Sequence, residues 1–506
     1  SAANGTVDED GKVNGIMYQE GLPLVDEGDY TFSIFCDDSS ESGEFIMLDE
    51  FKKQTNVDVD LKIYPYETAT ERLNLDLNSG DYADVIGGWT LSDNAILTYG
   101  VNQGVFIPLE DYFEKYCPNI SAILDLPGVR EKMTAPDGHI YTIPYVCADS
   151  TVGYSPYINT KWLENVGMSM PTTTDEFEAV LKAFKEQDAN GNGDASDEIP
   201  FSTDPNNKHI EAMAGYFGLP MNKLGIAIQN EKVVYGGVSD TYREFLSWFH
   251  KLYAEGLVDV ELYTQDSSTW EGKGNQDLYG VSIAYGSGEF TGIPAAEERG
   301  DFDSMPVLNT DKDGIWLRDT EGFSVYRTQA VITNKAEHPE IICRWFDNAF
   351  ALENGIGCNR GPVGVIVNKE DDGYHAIDTT TLSEEDQEKY SWGNLWPQSL
   401  PKYLPADFEF VEEHPMYDEK KATEEAYEAN LTKEIIPSYW IDLDKIDTFS
   451  DTNTAIKDFF EQQQAQFVCG ELDIDNDADW QAYVDGMYSL GLEDWVATQG
   501  IEEIAK

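Results

Sequence analysis

The sequence predicts an α/β fold on mainly parallel sheets, and three observations carry that expectation. Residues 30–88 alternate strand, helix, strand, helix, strand in their hydrophobic periodicity. Each step between strands is long enough for a helical crossover, which parallel pairing requires. The chain has 506 residues, 41% of them hydrophobic. That supports a large core and, at roughly 150 residues per domain, two to three domains.

Residues 1–29, rich in Gly, Asp, Asn and Glu, read as a flexible leader. Tyr30-Thr-Phe-Ser-Ile-Phe-Cys36 has the composition of a buried strand and runs into the polar turn Asp37-Asp38-Ser39-Ser40. Phe45, Leu48 and Phe51 recur three apart, so a helix follows. Val57, Val59, Leu61 and Ile63 alternate with polar residues, a strand with one face wet. Thr68 and Glu71 form a capping box for a second helix, which carries Leu73 and Leu77 and stops at Gly80. Ala83-Asp-Val85-Ile86 is the next strand, ending at Gly87-Gly88-Trp89. Ligands of open sheets bind at the carboxyl ends of strands. Asp37, Asp38 and Trp89 fall at such ends.

A second block begins near residue 150. Thr173 and Glu176 form a capping box ahead of Phe177, Val180, Leu181 and Phe184. Residues 242–255 form an amphipathic helix closed by Gly256. Strands are expected at 280–285 and 329–333, and His338-Pro339 opens another helix. Pro397, Pro401 and Pro405 interrupt a more irregular last third. Trp248, Trp345 and Trp480 lie on helix faces and are assigned to the core.

Lys+Arg total 33 and Asp+Glu 95, a formal net charge of −62. That field repels phosphate backbones and anionic lipid surfaces, which argues against nucleic acid as a partner. No run of 18 apolar residues occurs, so no membrane span is expected. Ser1 to Gly15 show no apolar signal core; either the chain works in the cytosol or an export signal has been removed. Cys36, Cys117, Cys147, Cys343, Cys358 and Cys469 form no CxxC pair, against zinc and thioredoxin-type chemistry. They read as buried thiols, with one or two long-range disulfides left open. Motifs for a serine nucleophile elbow, a zinc protease or a P-loop are missing. Sugar hydrolysis needs only two carboxylates, which the composition permits without selecting a pair.

The sharpest motif is Asp188-Ala-Asn190-Gly191-Asn192-Gly193-Asp194-Ala-Ser-Asp197-Glu198. Calcium takes six to eight oxygens, and alternate oxygen side chains in a tight loop supply them. Asp188, Asn190 and Asn192 hold the first, third and fifth positions, and Gly193 the sharp turn. Asp194 offers its carbonyl, and Asp197 and Glu198 close the loop early. The expectation is a structural calcium site, against an Asn/Gly-rich turn without metal. Asp473-x-Asp475-x-Asp477-x-Asp479 lacks the glycine and the closing Glu. It reads as an acidic approach to a helix near Trp480.

The chain holds 28 Tyr, 11 Trp and 23 Phe. Sugars present an apolar C–H face and a polar rim, so their sites need flat rings beside carboxylates and amides. Trp89, Tyr145, Tyr216, Trp270, Tyr285, Trp316, Trp392 and Trp396 fall at expected strand ends or in polar loops. Each alone suits ordinary packing; as a set they suggest a ligand cleft.

The opening segment, with Leu48-Asp-Glu-Phe-Lys-Lys-Gln-Thr55, Leu73-Asn-Leu-Asp-Leu-Asn-Ser-Gly-Asp81 and Ala83-Asp-Val-Ile86, resembles extracellular solute-binding proteins of carbohydrate ABC importers. So do Gly138-x-x-Tyr141-x-Ile143-Pro144-Tyr145, Tyr154-Ser-Pro-Tyr-Ile-Asn159, Lys251-Leu-Tyr-Ala-Glu-Gly-Leu-Val-Asp259 and Asp479-Trp-Gln-Ala-Tyr483. The class includes maltose-binding protein and the alginate-binding proteins, which carry a calcium loop one residue shorter before its closing acids. The resemblance implies two α/β lobes of the periplasmic-binding-protein type, with hinge strands and an interlobe cleft. Lobe 1 would comprise 30–150 plus about 312–372, and lobe 2 would comprise 151–311 plus about 373–506. It implies ligand contacts at Asp37, Asp38, Trp89 and Tyr145, then Tyr285, Glu289 and Trp316. Arg360 is one cation that a uronate could use, but basic residues are few and a neutral oligosaccharide is expected. The implied protein is a monomer outside a Gram-positive cell, held by a lipid anchor and serving ABC permease subunits. The alternatives are an extracellular glycoside hydrolase or lyase, and a receptor for peptides or other non-sugar solutes.

Overall fold

The computed structural model describes residues 5–38, 44–204, 209–292, 300–405, 407–411 and 415–505. The chain forms two units. Unit 1 is Ser1–Asp149, Gly322–Glu412 and Trp440–Ile446; unit 2 is Ser150–Glu321, Glu413–Tyr439 and Asp447–Lys506. The later segments depart from expectation, since 312–321 belong to unit 2 while 373–412 and 440–446 return to unit 1. The proline-broken stretch has no periodicity to announce this, yet it delivers Trp396 and Leu400 to the core of unit 1. The expected turn residues Ser39 and Ser40 lie outside the described residues.

The strands are β1 (Lys12–Val13), β2 (Met17–Tyr18), β3 (Tyr30–Asp37), β4 (Val57–Tyr64), β5 (Val85–Gly87) and β6 (Thr142–Ala148). Then come β7 (Ser155–Asn159), β8 (Ile199–Thr203), β9 (Ile226–Gln229), β10 (Lys232–Tyr235), β11 (Tyr279–Ala284) and β12 (Phe302–Ser304). The last are β13 (Phe323–Ile332), β14 (Val367–Glu370), β15 (Gly373–Ala376) and β16 (Glu503–Ile504).

Unit 1 centres on a five-stranded sheet in the order β4-β3-β5-β13-β6. β3 pairs in parallel with β4 and β5, while β13 runs antiparallel to β5 and β6. Unit 2 has a four-stranded sheet, β12-β7-β11-β8, and a three-stranded one, β16-β10-β9. In the former only β11 and β8 are parallel. The sheets are therefore mixed, not mainly parallel. The early run is parallel because its helical crossovers demand it. β13 arrives from unit 2 with no crossover helix to set its direction.

Residues 5–29 are not a flexible leader in the described part. β1 and β2 pair antiparallel, and Val13, Met17, Leu24 and Val25 are buried in the core of unit 1. Polar composition hid four apolar anchors spaced too widely to read as an element. The helix Tyr66–Ser79 starts after Pro65, one turn earlier than the expected box. Thr68 instead donates its hydroxyl to the Pro65 carbonyl. The helix Thr174–Glu186 does start as expected, with the Thr173 hydroxyl accepting from the Glu176 N–H and Glu176 accepting from Thr172. Its Phe177, Val180, Leu181 and Phe184 are buried. Trp345 and Trp480 are buried and Trp248 packs partly buried against the core of unit 2. All six cysteines are free thiols, four of them buried.

Candidate functional site

In unit 1 the carboxyl ends of β3 and β5 meet. Asp37 is fully buried and accepts from the N–H groups of Trp89 and Thr90 and from the Thr90 hydroxyl. Burial pushes its carboxyl up, and these hydrogen bonds oppose the shift. Gly88, at φ 131°, makes the approach possible, because a Cβ there would overlap the Asp37 carboxylate. Asp38 is also buried and accepts from the Gln398 N–H at 2.8 Å. Both acids thus hold loops. Asp37 holds the backbone of Trp89, which is 46% exposed, and Asp38 that of Gln398.

Trp89 lies edge-on to Tyr326 (5.2 Å between centroids) and 6.2 Å from Tyr145. Tyr145 of β6 and Tyr326 of β13 are cross-strand partners and stack at 5.4 Å. The Lys402 ammonium lies 6.0 Å from the Tyr145 ring and 5.4 Å from that of Trp392. Trp392 is 56% exposed. Unit 1 therefore carries a cluster of three rings, Trp89, Tyr326 and Tyr145, which the Lys402 ammonium links to a fourth, Trp392; both Trp rings are open to solvent. Arg327, in the bulged stretch of β13, pairs with Asp93 and lies 4.2 Å over the Trp440 ring.

Tyr216, Trp270, Trp316 and Trp396 do not join this face. Each is nearly or fully buried among its own unit's apolar side chains. Tyr216 packs 5.8 Å from Trp316, Trp270 lies 5.7 Å from Phe290, and Trp396 stacks on Trp345. Their rings are core, with no open face to offer a sugar. Arg360 ends the helix Leu352–Arg360 and donates to the Asn359 carbonyl.

Unit 2 gathers a second aromatic group at the end of β11. Tyr154 stacks on His209 at 4.0 Å and meets Tyr285 edge-on at 6.2 Å. The Lys420 ammonium lies 3.9 Å over the Tyr285 ring and donates to the Tyr285 carbonyl. Glu289 accepts from the Tyr285 N–H. Burial, with Asp204 and Glu271 adding repulsion, raises its carboxyl to about 7.

The loop at 188–198 folds around its own oxygens. Asn190 and Asn192 accept backbone N–H groups two residues on and donate their amides to Asp197. Glu198 Oε1 accepts from the Ala189 N–H, and Asp188 Oδ2 from the Gly193 N–H. Gly191 and Gly193 have φ of 75° and 96°. Asp188 Oδ1 and Glu198 Oε2 are buried and accept no hydrogen bond. Two orphaned carboxylate oxygens in one loop suit a hard cation, so the residues fit calcium. The Asp194 carboxylate turns to Ser196, which leaves its carbonyl as the group available. Among the described residues, the one set of three acid or His donors that converges is Glu370, Asp372 and His375, on the β14–β15 turn. The 473–479 run serves its helix, with Asn476 as the N-cap, Asp477 paired with Arg243 and Asp475 accepting from Ser247.

A model of the bacterial extracellular solute-binding protein family matches residues 39–355. The chain belongs to that family. Among curated relatives, it is 33% identical over 335 residues to FusA, a fructooligosaccharide ABC transporter substrate-binding protein of Streptococcus pneumoniae, covering 64% of this chain and 61% of FusA. It is 28% identical to lipoprotein LipO of Bacillus subtilis, covering 53% and 52%. The matches thus span little more than half the length of these relatives. By structure, S. pneumoniae FusA in complex with kestose superposes with a TM-score of 0.80 at 26% identity, over 93% of this chain and 98% of FusA. A further FusA structure is of an EF-hand mutant with fructo-nystose. A solute-binding protein for HMO from Bifidobacterium longum infantis shares the fold at TM-score 0.76 and 21% identity, over 94% and 98%. The two-lobed solute-binding fold is therefore the fold of this chain. Among the described residues no helix is long and apolar enough to cross a membrane.

For this solute-binding chain, sequence reasoning missed Tyr326, Tyr154, His209, Lys402 and Lys420. Tyr326 had a signal: an aromatic in a strand continuing upstream of residue 329, able to pair across with Tyr145. The lysines had none, because their partners are distant in sequence.

Proposed function

We propose that this protein captures a neutral oligosaccharide outside the cell and delivers it unchanged to the permease of an ABC importer. The observation that carries the reading is the set of rings Trp89, Tyr326 and Tyr145, joined through the Lys402 ammonium to Trp392, with both Trp rings open to solvent. Such rings match the C–H faces of consecutive sugars. A net charge of −62 disfavours uronates. The kinship with FusA makes fructooligosaccharides the first class to test. Tyr285 and Glu289 supply a second group of contacts. The protein acts as a monomer at the cell surface, held by a lipid anchor. Asp188, Asn190, Asn192, Asp197, Glu198 and the Asp194 carbonyl hold a structural calcium; the EF-hand in FusA supports this.

Calorimetric titration with kestose, neutral glucans, uronates and peptides tests the specificity. Saturable heat with the neutral sugars alone is expected. Chromatography of the same mixtures after long incubation should return the sugar intact. Steady release of shorter sugars would instead mark a glycoside hydrolase, and heat only with peptides a peptide receptor.

A further inference from the structure

Lys402 is an unusual residue for the middle of an aromatic face. Its side chain is almost wholly buried, at 1% exposure. Its ammonium donates to Gln398 Oε1 and faces the rings of Tyr145 and Trp392. A buried ammonium bonded to one end of a primary amide fixes which end is oxygen. The Gln398 NH₂ is thereby aimed at the backbone, where it donates to the Trp392 carbonyl at 3.0 Å and the Trp396 carbonyl at 2.9 Å. The Gln398 N–H is held by Asp38. Every polar group of that side chain is thus used, and the chain of bonds runs from Lys402 to the backbone of an exposed Trp.

We propose that Lys402 is a positioning residue for the sugar face of unit 1, holding Trp392 through the Gln398 amide and both flanking rings through its charge. This rests on the reading of that face as a sugar platform. A cation between two ring faces is worth most when desolvated, as here. Removing the charge weakens the bond to Gln398 Oε1 and the attraction for both rings, which loosens the place of Trp392.

The groups facing Lys402 are Cys147 and Tyr145 on β6, Cys358 and Arg360 on the helix Leu352–Arg360, and Asp38 after β3. Burial lowers the Lys402 ammonium to about 8, with Arg360 adding repulsion. Burial raises Cys147 to about 12 and pushes Cys358 and Tyr145 up as well. Lys402 thus titrates just above neutral pH, while Cys147, Cys358 and Tyr145 are pushed away from it.

The test uses the full chain labelled with 5-fluorotryptophan, with W392F assigning the Trp392 fluorine resonance. In ligand-free wild type that resonance should move with a midpoint near pH 8, set by Lys402. In K402M and K402R it should hold still over the same range, since neither side chain changes charge there. Kestose affinity of the wild type should fall about threefold or more from pH 7 to 9. K402R should keep its affinity across that range, and K402M should bind about tenfold more weakly at both ends. A Trp392 resonance indifferent to pH in a wild type that binds kestose would overturn the role of Lys402. So would K402M binding kestose as the wild type does, with the same pH profile. A wild type that binds no sugar on the panel would remove the platform reading itself.

Discussion

Asp37 spends its carboxylate on the backbone N–H groups of Trp89 and Thr90, and so fixes the place of the Trp89 ring. In the proposed reading the residue that binds and the residue that positions are therefore different, and each has its own expected phenotype. W89A and W392A should each lower sugar affinity by about 2 kcal/mol, roughly thirtyfold, the usual loss for a central Trp. Their melting temperatures should stay near wild type, because both rings are about half exposed. D37A should lower the melting temperature as well, since it orphans two N–H groups. Lys402 also has a stability signature. Its ammonium sits near 8 in the fold against 10.5 in the unfolded chain. Between those values the unfolded chain binds more protons, so wild-type stability rises with pH relative to K402M, by about 3 kcal/mol over the window. Denaturant titrations of both proteins at pH 7.5 and about pH 10 would read it; parallel curves would contradict the burial of a charge. The place of Trp89 was legible in the sequence because it follows the end of a strand. Lys402 was not, because a buried lysine looks like a surface lysine until its partners, Tyr145 and Trp392, are brought in from far along the chain.

At the scale of elements, the 188–198 loop was the most legible part of the chain. Its spacing of Asp188, Asn190 and Asn192 around Gly193 is set by local geometry alone. Calcium should stabilise unit 2 by about 2.7 kcal/mol at a hundredfold excess over Kd, or roughly 5–10 °C in melting temperature. Chelator should remove that increment from the wild type and leave D188A unchanged. An unshifted wild type would contradict the metal. The β1–β2 hairpin was the least legible element. Polar residues dominate it and the segment after it, and only the tertiary fold shows that its Val13 and Met17, with Leu24 and Val25 beyond, reach the core. Deleting residues 1–28 should cost about 1.5–3 kcal/mol for each of those side chains. The measurable outcome is a large drop in the unfolding midpoint; a flexible leader would leave it unchanged. The capping box at Thr68 failed for a related reason. Pro65, favoured at helix starts, opens the helix one turn earlier.

The whole molecule divides into two units that the chain enters more than once, and the sequence announces only the first entry. The change near residue 150 is visible in its motifs, and the structure places the boundary between Asp149 and Ser150. The return of 373–412 to unit 1 is silent, because it runs through proline-broken chain whose apolar residues follow no period. That silent return supplies Trp392, Gln398 and Lys402, half of the proposed sugar face. The measurement that bears most directly on the account is calorimetric titration of kestose into wild type and into the W89A/W392A double variant. Saturable heat in the wild type, lost in a double variant of unchanged melting temperature, is the expected result. Undiminished binding in the double variant would contradict the claim that these rings hold the sugar.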